Sequence, residues 1–142
     1  MNFLGRFSDP IYCLMRLFMG LMFACHGASK ILGWFPDPKH PASGSLDAIT
    51  AISGGIELVG GLLIAVGLLT SIAAFFSSGL MAAAYFMVHA RMGSAVPYVN
   101  KGELAVIYCF VFLYISAHGA GGWSLDALLR RNAGTSDRRN GV

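Results

Sequence analysis

The residues best suited to chemistry are ionisable side chains that lie inside long apolar segments. His26, Lys30 and Glu57 are the clearest examples. Ionisable groups are costly to bury in lipid, so they usually face the interior of a helix bundle or a water-filled cavity. His26 and Lys30 are four residues apart, which places them on one helix face, one turn from each other. With Glu57, they form a candidate site that handles protons or binds a ligand.

Arg16 falls within the same sector of the first helix as His26 and Lys30, a sector about 80° wide at 100° per residue. An unpaired carboxylate in hydrocarbon keeps its proton, whereas a nearby cation favours the ionised form. The candidates for a structural ion pair are therefore Arg16, Lys30 and Glu57. Two interpretations of Glu57 stay open: an ion pair that fixes helix register, and a functional site.

Further polar residues are predicted at or near the outer ends of the apolar segments. They form either a solvated rim or the mouth of a cavity that opens outward. The full candidate polar pocket comprises His26, Lys30, Glu57, Tyr85, His89, Glu103 and Tyr108. The histidines and cysteines show no diagnostic ligand spacing, so we predict neither a metal site nor a disulfide framework.

Long apolar segments must position these groups. Residues 58–88 contain no Asp, Glu, Lys, Arg or His. At about 1.5 Å per residue, this helical stretch is much longer than a bilayer core of about 30 Å. It must therefore cross a membrane twice, with a break at residues 67–71. There, Gly67 can end one helix and a hydroxyl residue such as Thr70 can cap the next.

The whole chain of 142 residues is 56% hydrophobic and only 12% charged, which favours a membrane protein. We predict an all-α bundle of four transmembrane helices in one domain. The predicted helices span residues 12–34, 49–67, 70–88 and 104–122, and a flexible tail covers residues 130–142. A proline-containing loop follows the first helix, and Ser45 or Asp47 can cap the second.

Basic residues near the helix ends predict the orientation. Four crossings place both termini on the same side of the membrane. That side carries Arg6, Arg130, Arg131, Arg138 and Arg139, against Lys39, Arg91 and Lys101 on the other. Both termini are therefore predicted to be cytoplasmic. The formal charge of +3 is explained by this asymmetry, and no nucleic acid partner is expected.

Several ordered motifs resemble those of the DoxX family of small four-helix membrane proteins. They are His26-Gly27-Ala28-Ser29-Lys30-Ile31-Leu32-Gly33, Gly54-Gly55-Ile56-Glu57-Leu58-Val59-Gly60-Gly61, Gly67-Leu68-Leu69-Thr70, Asn100-Lys101-Gly102-Glu103-Leu104 and Gly119-Ala120-Gly121-Gly122-Trp123-Ser124-Leu125-Asp126. The resemblance implies a multi-pass protein of the bacterial inner membrane. It also implies an association with quinone-linked or thiol-related oxidoreductases for some members, and a cargo-receptor role for a distant branch.

Two functions remain open at the level of sequence. The first is a membrane subunit of a redox system, with a soluble or membrane redox partner, that binds a quinone or another small redox substrate in the outward-facing pocket. The second is a non-catalytic membrane protein that binds a partner or passes a small solute, because no nucleophile-base pair, nucleotide loop or metal signature is present. Glycine-rich helix surfaces are also compatible with a homo-oligomer.

Overall fold

The computed structural model describes residues 3–35 and 47–139, which form five α-helices and no β-strand. The helices are α1 (Ser8–Leu32), α2 (Ala48–Val66), α3 (Thr70–Met87), α4 (Glu103–His118) and α5 (Leu125–Arg139). Short 3₁₀ turns at Gly5–Phe7 and His89–Arg91 precede α1 and follow α3. Three helical stretches, containing α1, α2 and α3, are long and apolar enough to cross a membrane. The predicted all-α fold is confirmed, and three of the four predicted membrane helices correspond to these candidate spans.

The ends of the second helix follow the chemistry of its flanking residues. Asp47 is extended, and its carboxylate accepts a hydrogen bond of 3.1 Å from the Thr50 N–H, as expected of an N-cap. Gly67 ends the helix in the left-handed conformation, with φ of 74°. The other capping candidate, Ser45, and nearly all of the proline-containing loop lie outside the described residues.

The helices α1 and α2 pack backbone against backbone. Gly20 and Gly27 are seven residues apart on α1, and Gly54 and Gly61 have the same spacing on α2. A Cβ atom at Gly20 would lie 2.6 Å from the Ala65 nitrogen. Because small residues let helix backbones approach closely, these glycines set the distance between the two helices.

The interior between the four apolar helices is filled mainly by aromatic and aliphatic side chains. Phe23 and Phe112 pack edge to face with their ring centroids 4.7 Å apart, and Ile64 and Ile115 are fully buried beside them. Large apolar side chains on the outer surface, such as Phe18, are exposed. In a membrane, that outer surface contacts lipid.

The fourth apolar helix is shorter than predicted, because it ends at His118 instead of residue 122. Gly119 and Gly121 then adopt positive φ angles of 88° and 74° in a non-helical link. The chain resumes as α5 at Leu125, and this helix continues to Arg139 through most of the segment expected to be a flexible tail.

The cap of α3 also differs from the prediction. Its N-cap position is Leu69, and Thr70 is the first helical residue. The carboxylate of Asp126 accepts hydrogen bonds from the backbone N–H groups of Leu69 and Thr70, at 3.0 and 3.1 Å, and from the Thr70 hydroxyl. Burial raises the pKa of Asp126, but these hydrogen bonds outweigh burial and hold the pKa below its usual value. A residue 56 positions away therefore caps the helix.

Candidate functional site

A cavity of about 250 Å³ lies between the pair α1 and α2 and the pair α3 and α4. It is at the end of the bundle opposite the Asp126 cap, where α1 ends and α4 begins. Its polar lining consists of His26, Lys30, Glu57, His89, Lys101 and Tyr108, and its apolar lining of Phe23, Met81, Ala84, Leu104 and Ala105. The cavity therefore combines an apolar surface with several groups that donate or accept hydrogen bonds.

An ion pair joins the two helices on one side of the cavity. The Nζ of Lys30 donates to Oε1 of Glu57 at 2.6 Å, a short charge-assisted hydrogen bond. The Glu57 residue is 3% exposed, whereas the Lys30 side chain is 39% exposed. Lys30 thus extends from the open side toward a deeply buried carboxylate. The second oxygen of that carboxylate, Oε2, is buried without a hydrogen-bond partner among the described residues.

Tyr108 of α4 lies across the cavity from this pair and is 1% exposed. Its ring packs against Phe23 and Phe112, with centroid distances of 5.3 Å to each. Those contacts fix the orientation of the ring. The hydroxyl group is buried, and within the described parts of the chain no group pairs with it.

The two histidines of the lining come from different helix ends. The His26 ring is edge-on to the Tyr108 ring, with centroids 6.2 Å apart. The Nδ1 of His89 lies 3.1 Å from the backbone oxygen of Asn100. Because a carbonyl oxygen only accepts, Nδ1 must carry the proton, which leaves Nε2 as the acceptor of the neutral ring.

Lys101 also lines the cavity, although it was not among the predicted pocket residues. It lies in the motif Asn100-Lys101-Gly102-Glu103-Leu104. It adopts a left-handed conformation with φ of 56°, which is unfavourable for a side chain of this size. The neighbouring Asn100 is buried and stabilises the turn: its Oδ1 accepts from the Gly102 N–H at 2.8 Å, and its Nδ2 donates to the Ser94 carbonyl at 3.0 Å. The positive φ was the missing information, since a lysine gives no sequence signal for it.

The structure does not place Tyr85 or Glu103 in the lining of this cavity. The Tyr85 hydroxyl donates to the Ala95 carbonyl at 2.5 Å, and the residue lines a separate, mainly apolar pocket. Glu103 is the exposed first residue of α4. Of the seven predicted pocket residues, the structure brings together His26, Lys30, Glu57, His89 and Tyr108.

Arg16, the remaining candidate for the ion pair, lies at the other end of α1. It is 2% exposed and donates to the carbonyl oxygens of three residues: Ile64, Ala65 at 2.8 Å and Trp123 at 2.7 Å. These carbonyls belong to the last turn of α2 and to the link before α5, so Arg16 stabilises the end of a helix. Helical periodicity places Arg16 and Lys30 on one face of α1, but their separation of 14 residues corresponds to about 21 Å along the axis. The prediction of Arg16 as a partner of Glu57 was therefore wrong, and Glu57 pairs with Lys30.

No group of three or more His, Cys, Asp or Glu residues within ranges 3–35 and 47–139 is arranged to hold a metal ion.

The family model for DoxX matches residues 11–90, which is more than half of the chain and includes most of α1 and all of α2 and α3. The chain belongs to the DoxX family. Together with the apolar helices, this membership identifies a membrane protein.

Relatives of this DoxX protein extend the similarity into α4 but add no activity. An uncharacterized protein of Haemophilus influenzae is 39% identical over 129 residues, covering 89% of this chain and 96% of the relative. A second uncharacterized protein of the same organism is 29% identical over 134 residues, covering 89% of this chain and 88% of the relative. No solved structure matches the chain.

Proposed function

We propose that this DoxX protein is an integral membrane subunit of a redox system that binds a quinone head group or a similar small redox substrate in the cavity. The observation that carries the proposal is the composition of the lining. A deeply buried carboxylate, a paired lysine, two histidines and a tyrosine adjoin an apolar surface within membrane-embedded helices. A quinone needs both an apolar slot for its ring and polar groups at its oxygens.

The size of the cavity suits one ring. An engineered apolar cavity of about 150 Å³ accommodates benzene, and the volume here is about 250 Å³. A substituted quinone ring fits within this range, while a hydrophobic tail would have to extend toward lipid. The cavity is partly open to the surface, so a ligand can enter without unfolding the bundle.

The proposal includes a topology in the bacterial inner membrane. α4 has 16 residues and a length of about 24 Å, slightly less than a bilayer core of about 30 Å. We propose that it forms the fourth crossing and that both termini are cytoplasmic. The cavity then opens toward the outer face, where a soluble or membrane-bound redox partner would exchange electrons with the ligand. The arginines beyond residue 129 support this orientation.

The test is a pair of substitutions at adjacent positions of α3. Ala84 lines the cavity, whereas Ala83 is exposed on the outer surface of the helix. Ala84→Phe fills the cavity without removing a polar group, so we expect binding of duroquinone and duroquinol to fall by about tenfold or more. Ala83→Phe adds the same volume to the outer surface and should leave binding unchanged.

Binding is measured by titrating the purified protein in lipid nanodiscs, and mass spectrometry identifies small molecules retained after mild extraction. Equal loss of affinity in the Ala83 and Ala84 variants would contradict the assignment of this cavity. If the wild-type protein binds neither form and retains no quinone, the redox proposal is wrong. The chain would then be better described as a non-catalytic protein that binds a partner or passes a solute.

A further inference from the structure

Two residues of the cavity lining each carry a buried oxygen atom that has no hydrogen-bond partner among the described residues. These atoms are Oε2 of Glu57 and the hydroxyl oxygen of Tyr108. Their residues are 3% and 1% exposed. Buried polar groups in folded proteins nearly always have a partner, since leaving one unpaired destabilises the folded state. Two such atoms on residues that line one cavity indicate which hydrogen-bond donors and acceptors a ligand of the cavity should carry.

Oε2 of Glu57 and the hydroxyl of Tyr108 require different hydrogen-bonding groups on a ligand. As the partner of the Lys30 ammonium, Glu57 is a carboxylate, and a carboxylate oxygen only accepts hydrogen bonds. The Tyr108 hydroxyl supplies a donor. A complementary ligand therefore donates a hydrogen bond to Glu57 and accepts one from Tyr108. A hydroxyl group does both, whereas a carbonyl oxygen only accepts.

His89 adds a second acceptor to the lining. Its Nδ1 proton is used by the Asn100 carbonyl, so the neutral ring offers Nε2 as an acceptor. The ammonium of Lys101 can donate to an oxygen of either a hydroxyl or a carbonyl group, so it does not discriminate. The lining thus provides acceptors that a ligand hydroxyl group can satisfy and a carbonyl oxygen cannot.

We propose that the cavity selects the reduced form of its ligand, a quinol, over the oxidised quinone, and that the Glu57 carboxylate makes the distinction. This inference rests on the proposed function, because it specifies the oxidation state of the same ligand. A quinone would place a carbonyl oxygen against a carboxylate oxygen, with no proton between two acceptors. A quinol supplies that proton.

The experiment compares duroquinol with duroquinone under anaerobic conditions in lipid nanodiscs. The ring of this probe is fully substituted, so it does not add to the exposed thiol of Cys25. We expect duroquinol to bind about tenfold more tightly. The same preference raises the midpoint potential of the bound two-electron couple by about 30 mV relative to the free couple.

Two variants assign the preference to individual atoms. Glu57→Gln presents an amide that can donate to a carbonyl, so the preference for duroquinol should disappear or reverse. Tyr108→Phe removes a donor that serves the oxygen of either form, so both affinities should fall while their ratio persists. Tyr114→Phe, which changes an exposed tyrosine of the same helix, is the matched control.

The possible outcomes distinguish a failure of the quinol preference from a failure of quinone binding itself. Equal affinities, or tighter binding of duroquinone to the wild-type protein, overturn the quinol preference and leave quinone binding intact. Binding of neither form overturns both. A preference that persists in folded Glu57→Gln protein removes the role of Glu57. If that variant fails to fold, the wild-type ratio and the Tyr108→Phe ratio still decide whether a hydroxyl is selected.

Discussion

At the scale of single residues, the Lys30–Glu57 ion pair establishes the structural role that the sequence left as one of two alternatives for Glu57. It connects α1 to α2 through a hydrogen bond of 2.6 Å, and the second carboxylate oxygen of Glu57, a residue of the cavity lining, is buried without a partner among the described residues. The exposed position of Lys30 reduces the cost of burying its charge, whereas Glu57 depends on its partner. A structural contact and a ligand contact can therefore reside in one carboxylate.

This dependence predicts an asymmetric effect of substitution. Lys30→Met leaves the Glu57 carboxylate buried without a cation and should destabilise the protein by about 1–3 kcal/mol. The double variant Lys30→Met/Glu57→Met removes both charges and should be more stable than the single variant. Thermal unfolding in detergent micelles at constant pH provides the measurement. A double variant as unstable as Lys30→Met alone would show that the pair does not carry this effect.

The residues of the cavity were predictable where helix periodicity and burial cost agree. His26, Lys30 and Glu57 were found this way, and the structure places all three in the lining. Periodicity gives the face of a helix but not the depth of its neighbours, which is why Arg16 seemed close to Glu57. Lys101 depends on the turn around Asn100, and that turn is made by hydrogen bonds between residues of a loop.

At the scale of helices, the contact between α1 and α2 positions the cavity. Lys30 lies within one turn of Gly27, and Glu57 within one turn of Gly54. The close approach of the backbones at these glycines brings the ammonium within reach of the carboxylate. Any change that separates the helices by the width of a methyl group should disturb both stability and ligand binding.

Gly27→Ala tests this relation. The added Cβ would lie 2.6 Å from the Gly54 carbonyl oxygen and would also meet the Leu58 backbone, which cannot yield as a side chain does. We expect destabilisation of about 2 kcal/mol, within the range for overpacking. Gly79→Ala is the control, since beyond the neighbouring backbone of its own helix no atom lies within 4 Å of its added Cβ. That control should be neutral or slightly stabilising because alanine favours helix. Equal unfolding temperatures for the two variants would contradict the role of the glycine contact.

Helix boundaries were predictable in the first three apolar segments but less so near the C-terminus. Hydropathy treats Gly119, Ala120, Gly121 and Gly122 as part of an apolar span, although two of these glycines have positive φ angles. A helix in the next segment was not expected, because its charged and small residues resemble a tail. Hydropathy measures compatibility with lipid, and it does not detect a glycine link that packs on the bundle.

At the scale of the whole molecule, the helices form two pairs, α1 with α2 and α3 with α4, with fewer contacts between α2 and α3. The cavity lies between the pairs, so its shape depends on their relative position. Both the Arg16 contacts and the Asp126 cap act at the opposite end of the bundle. Polar contacts of Arg16 and Asp126 thus join elements at one end of the bundle, and the cavity lies at the other end, where the Lys30–Glu57 ion pair joins α1 to α2.

The topology proposal leads to a direct prediction. Single cysteines at Ser94 and at Asn140 in a cysteine-free background should be labelled from opposite sides by a membrane-impermeant maleimide. Ser94 lies between α3 and α4 and is expected outside, whereas Asn140 is expected in the cytoplasm. Labelling of intact and lysed bacterial cells distinguishes the two sides. Labelling of both positions in intact cells would exclude a fourth crossing.

The long-range cap on α3 has a consequence for biosynthesis. Asp126 leaves the ribosome well after α2 and α3, yet its carboxylate and backbone N–H complete the hydrogen bonding of the turn between those helices. Nascent chains therefore enter the membrane with that turn only partly hydrogen-bonded, and the bundle closes when the final segment arrives. A premature stop codon just after α4 would remove no apolar helix but would leave an incomplete bundle exposed to membrane proteases.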